Sequence, residues 1–304
     1  MSDIGALKPG TILGEAAKPP FAVLPDPCLL FLNRARRFAA LAPNHELGPY
    51  LTFLSVVTGA QYAIQTDLPA PALPPFERIG QALEHGMPPI SRTVYEPDQT
   101  AVDTLERLLT RLEGAEVPPE STAAIQALLA VPHEERRKLA SAALTDALPE
   151  REVARRALLL AGLQVHFARM ASLLQASDLR PIANGACPVC GSLPVSSVVV
   201  GWPKAYNTRF CTCSLCGTMW NAVRIACLLC DSTDGISFRS VEDKPDTVKA
   251  ETCDKCRGYV KILYQVKDPA LDPLVDDVAT LGLDMLMAEE GWKRGGQNPF
   301  LLGY

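Results

Sequence analysis

The chain has 304 residues, is 48% hydrophobic and carries a formal net charge of -5. That is enough apolar content for two ordinary domains, and the acidic balance speaks against a polyanion-binding surface. No apolar run reaches the roughly 20 residues that a bilayer demands, and the start, M-S-D-I-G-A-L-K-P-G, lacks the basic, then apolar pattern of a secretory signal, so a cytoplasmic protein is expected.

Apolar residues recur at helical spacing in Leu30 to Leu41, Tyr50 to Ile64, Thr100 to Leu112, Thr122 to Leu129, Glu134 to Leu144 and Glu150 to Leu174. Within the second of these, Leu51 to Ile64 is the most apolar run and reads as a buried helix. Leu68-Pro69-Ala70-Pro71-Ala72-Leu73-Pro74-Pro75 reads as a rigid surface connector. Pro149, with Glu150 and Glu152 behind it, marks the start of a long helix of about seven turns that ends before Asp178 and Pro181. Composition changes at Asn184-Gly185, where the boundary is placed: a helical domain over residues 1–183 and a cysteine-rich domain over 184–304. Short strands are expected at Val195 to Val200, Arg209 to Cys211, Met219 to Ile225, Ile236 to Ser240 and Tyr259 to Val266. A last helix follows, capped by Asp272, striped by Leu274, Val275, Val278, Leu281 and Met285, and ended by Gly291.

Eight of the ten cysteines form four C-x-x-C pairs, Cys187/Cys190, Cys213/Cys216, Cys227/Cys230 and Cys253/Cys256, and each of the first four recurs 40 positions on. Within each copy 22 residues separate the pairs, a ribbon-like spacing in which two turns each offer two thiolates to one tetrahedral ion. The expected ligand sets are Cys187, Cys190, Cys213 and Cys216, and Cys227, Cys230, Cys253 and Cys256, in modules 184–224 and 225–266. Pairing across the copies stays open, because the 10-residue gap between Cys216 and Cys227 is also ribbon-compatible. Gly191 and Gly217 follow the second ligand of their pairs and suit a positive φ, whereas Asp231 and Arg257 stand there in the second copy. The fold class is therefore α+β: a helical bundle followed by two tandem rubredoxin-like or zinc-ribbon-like modules and a terminal helix.

Disulfides would need an oxidising compartment, and redox C-x-x-C pairs normally open a helix in a thioredoxin-like unit. Nucleophile-elbow, P-loop, dinucleotide and H-E-x-x-H signatures are missing, so no catalytic residue is expected. His45, His85, His133 and His166 match no metal spacing and read as surface or helix-face residues. Cys28 and Cys211 fall outside the repeat and read as half-buried thiols. Zinc ribbons often bind nucleic acid, but the segment after Ala186 has 12 Lys+Arg against 14 Asp+Glu, without the basic excess that duplex binding requires. Trp202, Tyr206 and Trp220 lie near the first site in sequence and are candidate partner contacts beside their reading as core residues.

Several segments together resemble the family of formate dehydrogenase accessory proteins called FdhE. They are C-P-V-C-G-S from Cys187, C-S-L-C-G-T-M-W from Cys213, V-R-I-A-C-L-L-C from Val223, V-K-A-E-T-C-D-K-C-R-G-Y-V-K-I-L-Y-Q-V-K-D-P from Val248 and N-P-F from Asn298. P-D-P-C-L-L-F-L-N-R-A-R-R-F-A-A-L-A from Pro25 and L-G-P-Y-L-T-F-L from Leu47 look like the family's helical half. The resemblance implies a cytoplasmic, non-enzymatic maturation factor for respiratory molybdenum-dependent formate dehydrogenase, contacting the catalytic subunit before twin-arginine export. It also implies iron in two rubredoxin-type sites on the eight repeat cysteines, with zinc the alternative that the ligands alone leave open. With iron, electron transfer during assembly is a second role. A homodimer is left open. The chain departs from the family pattern at Arg209-Phe210-Cys211-Thr212, where Cys211 is extra.

Overall fold

Helices in the first half begin where the sequence supplies a cap or a proline. In the computed structural model, which describes residues 19–301 except 150, 184, 243 and 244, strand β1 (Ala22–Val23) leads into α1 (Pro27–Leu41), where Asp26 accepts from the Leu29 N–H at 3.0 Å. Pro residues open α2 (Gly48–Ala63) and α5 (Pro119–Ala130). Asp98 caps α4 (Gln99–Glu113) by accepting from the Ala101 N–H at 2.9 Å. Between α2 and α4 lies α3 (Phe76–Glu84), which has no buried residue and which was not expected from the sequence. The connector before it, Leu68 to Pro75, has no helix or strand and is held by Arg169, which donates to the carbonyls of Leu68 and Pro69 at 3.0 and 2.9 Å.

After α6 (His133–Leu144) comes α7 (Val153–Ala171), shorter than the expected Glu150 to Leu174. Every residue from Leu158 to Ala171 except Arg169 is buried, so this part of α7 is enclosed on all sides and forms the axis of the bundle. His166 lies in this buried stretch, on a helix face and not at the surface, the second of the two places its sequence reading allowed; Tyr95 Oη is 2.6 Å from its Nε2. Residues 1–10, which lack a secretory-signal pattern, Glu150 and the boundary residue Asn184 lie outside the described residues.

The two cysteine copies build one sheet. Copy one supplies β2 (Pro194–Val200), β3 (Thr208–Cys213) and β4 (Met219–Asn221), and copy two supplies β5 (Ile236–Arg239), β6 (Val248–Cys253) and β7 (Gly258–Tyr264). The order is β1-β4-β3-β2-β7-β6-β5, with β8 (Lys293–Arg294) also pairing β7. Each copy is thus an antiparallel three-stranded unit, and the copies join head to tail through the parallel β2–β7 pair, with Val198 opposite Leu263. Strand β4 stops at Asn221 rather than the expected Ile225, because Arg209 donates to the carbonyls of Val223, Arg224 and Ala226 and draws that segment off the ladder. Strand β6 was not foreseen.

The terminal helix is two helices, α8 (Val275–Ala279) and α9 (Leu281–Glu289). Asp272 caps the first as expected, accepting from the N–H groups of Leu274 and Val275 at 2.9 and 3.0 Å. The break at Thr280 has a cause: the buried Lys261 ammonium donates to the carbonyls of Asp277 and Thr280 at 2.8 and 3.0 Å. The break leaves Met285 exposed while Leu274, Val275, Val278 and Leu281 stay in the core.

Candidate metal centres

Each C-x-x-C pair sits on a tight turn, and three of the four are closed by an N–H to the carbonyl of the first cysteine. Gly191 N–H donates to Cys187 O at 2.8 Å, and Asp231 and Arg257 repeat that bond to Cys227 O and Cys253 O at 2.9 Å each. The fourth residue after each first cysteine has positive φ: Gly191 and Gly217 at 75°, Asp231 at 61° and Arg257 at 58°. The turn therefore persists in copy two although its glycines do not, and Gly258, the nearest glycine there, is not the left-handed residue.

These turns bring the thiols together within each copy. Cys187, Cys190, Cys213 and Cys216 have their Sγ atoms within 4.8 Å of one another, and so do Cys227, Cys230, Cys253 and Cys256. Four sulfurs around an ion at about 2.3 Å stand roughly 3.8 Å apart. Observed separations are 3.6 Å for Cys187–Cys216, 3.4 Å for Cys190–Cys213, 3.6 Å for Cys227–Cys256 and 3.7 Å for Cys230–Cys253. All are free thiols. Backbone N–H groups point at the sulfurs, Leu215 and Cys216 toward Cys213 at 3.3 Å and Leu229 toward Cys227 at 3.4 Å. Donor set and spacing both fit a tetrahedral ion, and all-sulfur tetrahedra suit zinc or iron.

Burial separates the two groups. All four cysteines of the first are buried, whereas Cys230 of the second is exposed and Cys256 partly so. Burial pushes the Cys187 and Cys216 thiols well above the ordinary range. At Cys190 burial acts the same way, but hydrogen bonds from Cys187, Cys213 and Cys216 outweigh it and hold that thiol well below it. Four buried thiolates at such distances repel one another, and a cation at their centre removes the conflict. In the second group burial pushes Cys227 up to about 12.

The helical half encloses the first group. Ile90 N–H donates to Val189 O at 3.1 Å, Arg92 N–H to Cys190 O at 2.9 Å and Gln164 Nε2 to Ser214 O at 2.8 Å, so both turns are gripped from outside the repeat. Gln164 is itself held through Gln61, whose Nε2 donates to Gln164 Oε1 at 3.1 Å. Sequence reading missed these residues, although a glutamine amid L-L-L-A-G-L-Q-V-H-F was a visible signal of a buried polar task.

Cys211 is fully buried on β3, not half-buried, and belongs to neither group; burial pushes its thiol up to about 12. Cys28 is exposed, not half-buried. Trp220 is only 6% exposed and pairs with Ala22 and Cys211 in the sheet. Trp202 is half-buried, its ring 5.4 Å from that of Phe210, while Tyr206 is 68% exposed. Both lie in the β2–β3 turn, at the end of that hairpin opposite Cys213, because the register runs from Val200–Thr208 to Pro194–Cys213. Among the described residues no helix is long and apolar enough to cross a membrane.

Three family models match: "FdhE, N-terminal" over residues 19–184, "FdhE, central domain" over 186–224 and "FdhE, C-terminal domain" over 225–301. The chain is 40% identical over 296 residues to a protein FdhE homolog of Rhizobium meliloti, covering 97% of each chain. It is 34% identical over 275 residues to protein FdhE of Salmonella typhimurium, covering 90% of this chain and 88% of the relative. The crystal structure of the FdhE protein from Pseudomonas aeruginosa superposes with a TM-score of 0.80 at 31% identity, covering 94% of this chain and 99% of that one. With a relative this similar along almost its whole length, and two four-cysteine groups in a sheet walled by helices, the chain belongs to the FdhE family.

Proposed function

We propose that this protein is a cytoplasmic, non-enzymatic maturation factor for a respiratory molybdenum-dependent formate dehydrogenase, binding the catalytic subunit during assembly and before twin-arginine export. Membership of the FdhE family supports the accessory role, and the observation that carries the chemistry is the pair of four-cysteine groups. In this reading Cys187, Cys190, Cys213 and Cys216 hold one ion and Cys227, Cys230, Cys253 and Cys256 the other, with iron favoured over zinc by the family. The functional division runs between a helical domain over residues 1–183 and a metal domain over 184–304.

Exposure of Cys230 favours a second role for the second ion, one-electron exchange with the partner when the metal is iron. The partner meets the open side of that group, where Val223 and Ile225 are 66% and 56% exposed on the approach to Cys227. Tyr206 is the further candidate contact; Trp202 and Trp220 serve the core first. Titration of the anaerobically purified protein against the purified catalytic subunit tests the reading. A saturable complex weakened by Ile225→Asp is expected. Absence of any complex with the metal-loaded protein contradicts it.

A further inference from the structure

A buried arginine stands on α1, the helix that packs against the sealed group. Arg34, on the inner face of α1, is 1% exposed, and its Nε finds no hydrogen-bond acceptor. Its one ion pair among the described residues is long, 3.8 Å from Nε to Asp272 Oδ1. Burying a guanidinium with so little compensation costs several kcal/mol, so a further anionic partner is expected nearby. The packing of α1 identifies it. One turn before Arg34 on the same face, Leu30 lies so close to the Cys213–Cys216 turn that a Cβ on Gly217 would come within 2.6 Å of Leu30 Cδ2. Burial lowers the Arg34 pKa, and after Asp272 the charges that raise it again belong to Cys213 and Cys216. Four thiolates around a divalent ion leave about -2 on the group, and that group is buried where water cannot screen it.

We propose that Arg34 is the counter-charge of the first metal centre, supplied by the helical half, so that loading this centre and docking α1 stabilise each other. The inference rests on the reading of the cysteine groups as metal centres. It also separates the two: beside the second group the buried Arg209 is already paired with Glu251 at 2.9 Å, and Lys255 and Arg257 are exposed, as suits a group that is itself open.

The test uses the full chain carrying Cys227→Ser/Cys256→Ser, so that the first centre alone reports, loaded with zinc and challenged with a chromogenic chelator. Arg34→Met is expected to speed zinc release by roughly tenfold or more, the order of a charge interaction through protein of effective dielectric about 20, while Arg34→Lys stays close to the parent. An unchanged rate for Arg34→Met overturns the proposal. Stability in urea gives a second reading that survives a poorly folding variant. Arg34→Met is expected to lower the midpoint of the loaded parent but leave it unchanged, or raise it, when Cys187→Ser/Cys216→Ser has removed the anionic partner. Equal losses in both backgrounds would mean a packing role only. If the parent takes up no zinc at its first group, the metal reading fails and the counter-charge with it; if it takes up zinc and Arg34 is indifferent, the counter-charge alone fails.

Discussion

The same turn position is occupied by glycine twice and by Asp231 and Arg257 once each, and burial explains the difference. A left-handed residue other than glycine costs roughly 1–2 kcal/mol, which an exposed turn tolerates. Arg257 recovers part of it, with its guanidinium carbon 3.9 Å from the centroid of the Trp292 ring. Around the first group there is no such latitude, because Leu30 fills the space a Cβ on Gly217 would take. Gly217→Ala is therefore expected to destabilise by roughly 2–4 kcal/mol, adding overpacking to the backbone cost, while Asp231→Gly stays within about 1 kcal/mol; urea midpoints compare them. The cysteines and their turns were legible at this scale because spacing is a local property. Gln164, Arg92 and Arg34 were not, since their tasks depend on which segments meet. His166 belongs with them. Its burial lowers its pKa to about 4 from the ordinary 6.5, so between those values the unfolded chain binds a proton that the folded chain refuses. Stability is thus present above pH 6.5 and falls on acidification, by up to about 1.4 kcal/mol per pH unit. His166→Gln should flatten that slope by up to one proton between about pH 6.5 and 4, and an unaltered slope in urea titrations would refute the assignment.

Among the described residues, six of the seven α-helices of the first half were readable from apolar periodicity; α3 was not, because Phe76, Ile79 and Leu83 recur at helical spacing over only nine residues, directly behind a proline-rich connector. Strand β6 carried a signal that went unused: shifting β3 (Thr208–Cys213) by the 40-residue repeat gives Val248–Cys253. The split of the last helix was illegible for a physical reason, since it depends on Lys261 reaching across from β7. Its ammonium stands 2.6 Å from Asp284 Oδ2 and 3.4 Å from Asp277 Oδ1, and Arg294 pairs with both carboxylates from the other side. Removing one member of such a buried set strands the others. Lys261→Met is expected to cost about 3–5 kcal/mol, and Asp284→Asn added to it should restore part of the loss. A cost below about 1 kcal/mol in chemical denaturation would show that the network does not hold the break.

Across the whole molecule one apolar core runs from Phe31 and Phe38 in the bundle, past Cys187, Cys190, Cys213 and Cys216, to Leu274 and Val278 after the sheet. Polar contacts cross the same seam. Arg37 grips Asp276 with Nε and Nη2 at 3.0 and 2.6 Å, and Tyr50 Oη donates to Phe300 O at 2.5 Å. The first cysteine group is thus inside this shared core and the second at its edge, an asymmetry that the symmetric repeat hid, because equal spacing says nothing of what packs outside it. Chelator challenge of the doubly loaded protein should accordingly be biphasic, with the fast phase lost in Cys230→Ser and the slow phase lost in Cys190→Ser. A single phase would contradict the burial difference. The most direct measurement is metal analysis with visible absorption on anaerobically purified protein beside Cys187→Ser/Cys227→Ser. The account predicts two ions per chain, one for each four-cysteine group, with thiolate charge-transfer bands if the metal is iron, and loss of both in the variant. Full metal content in the variant, or none in the parent, would contradict it.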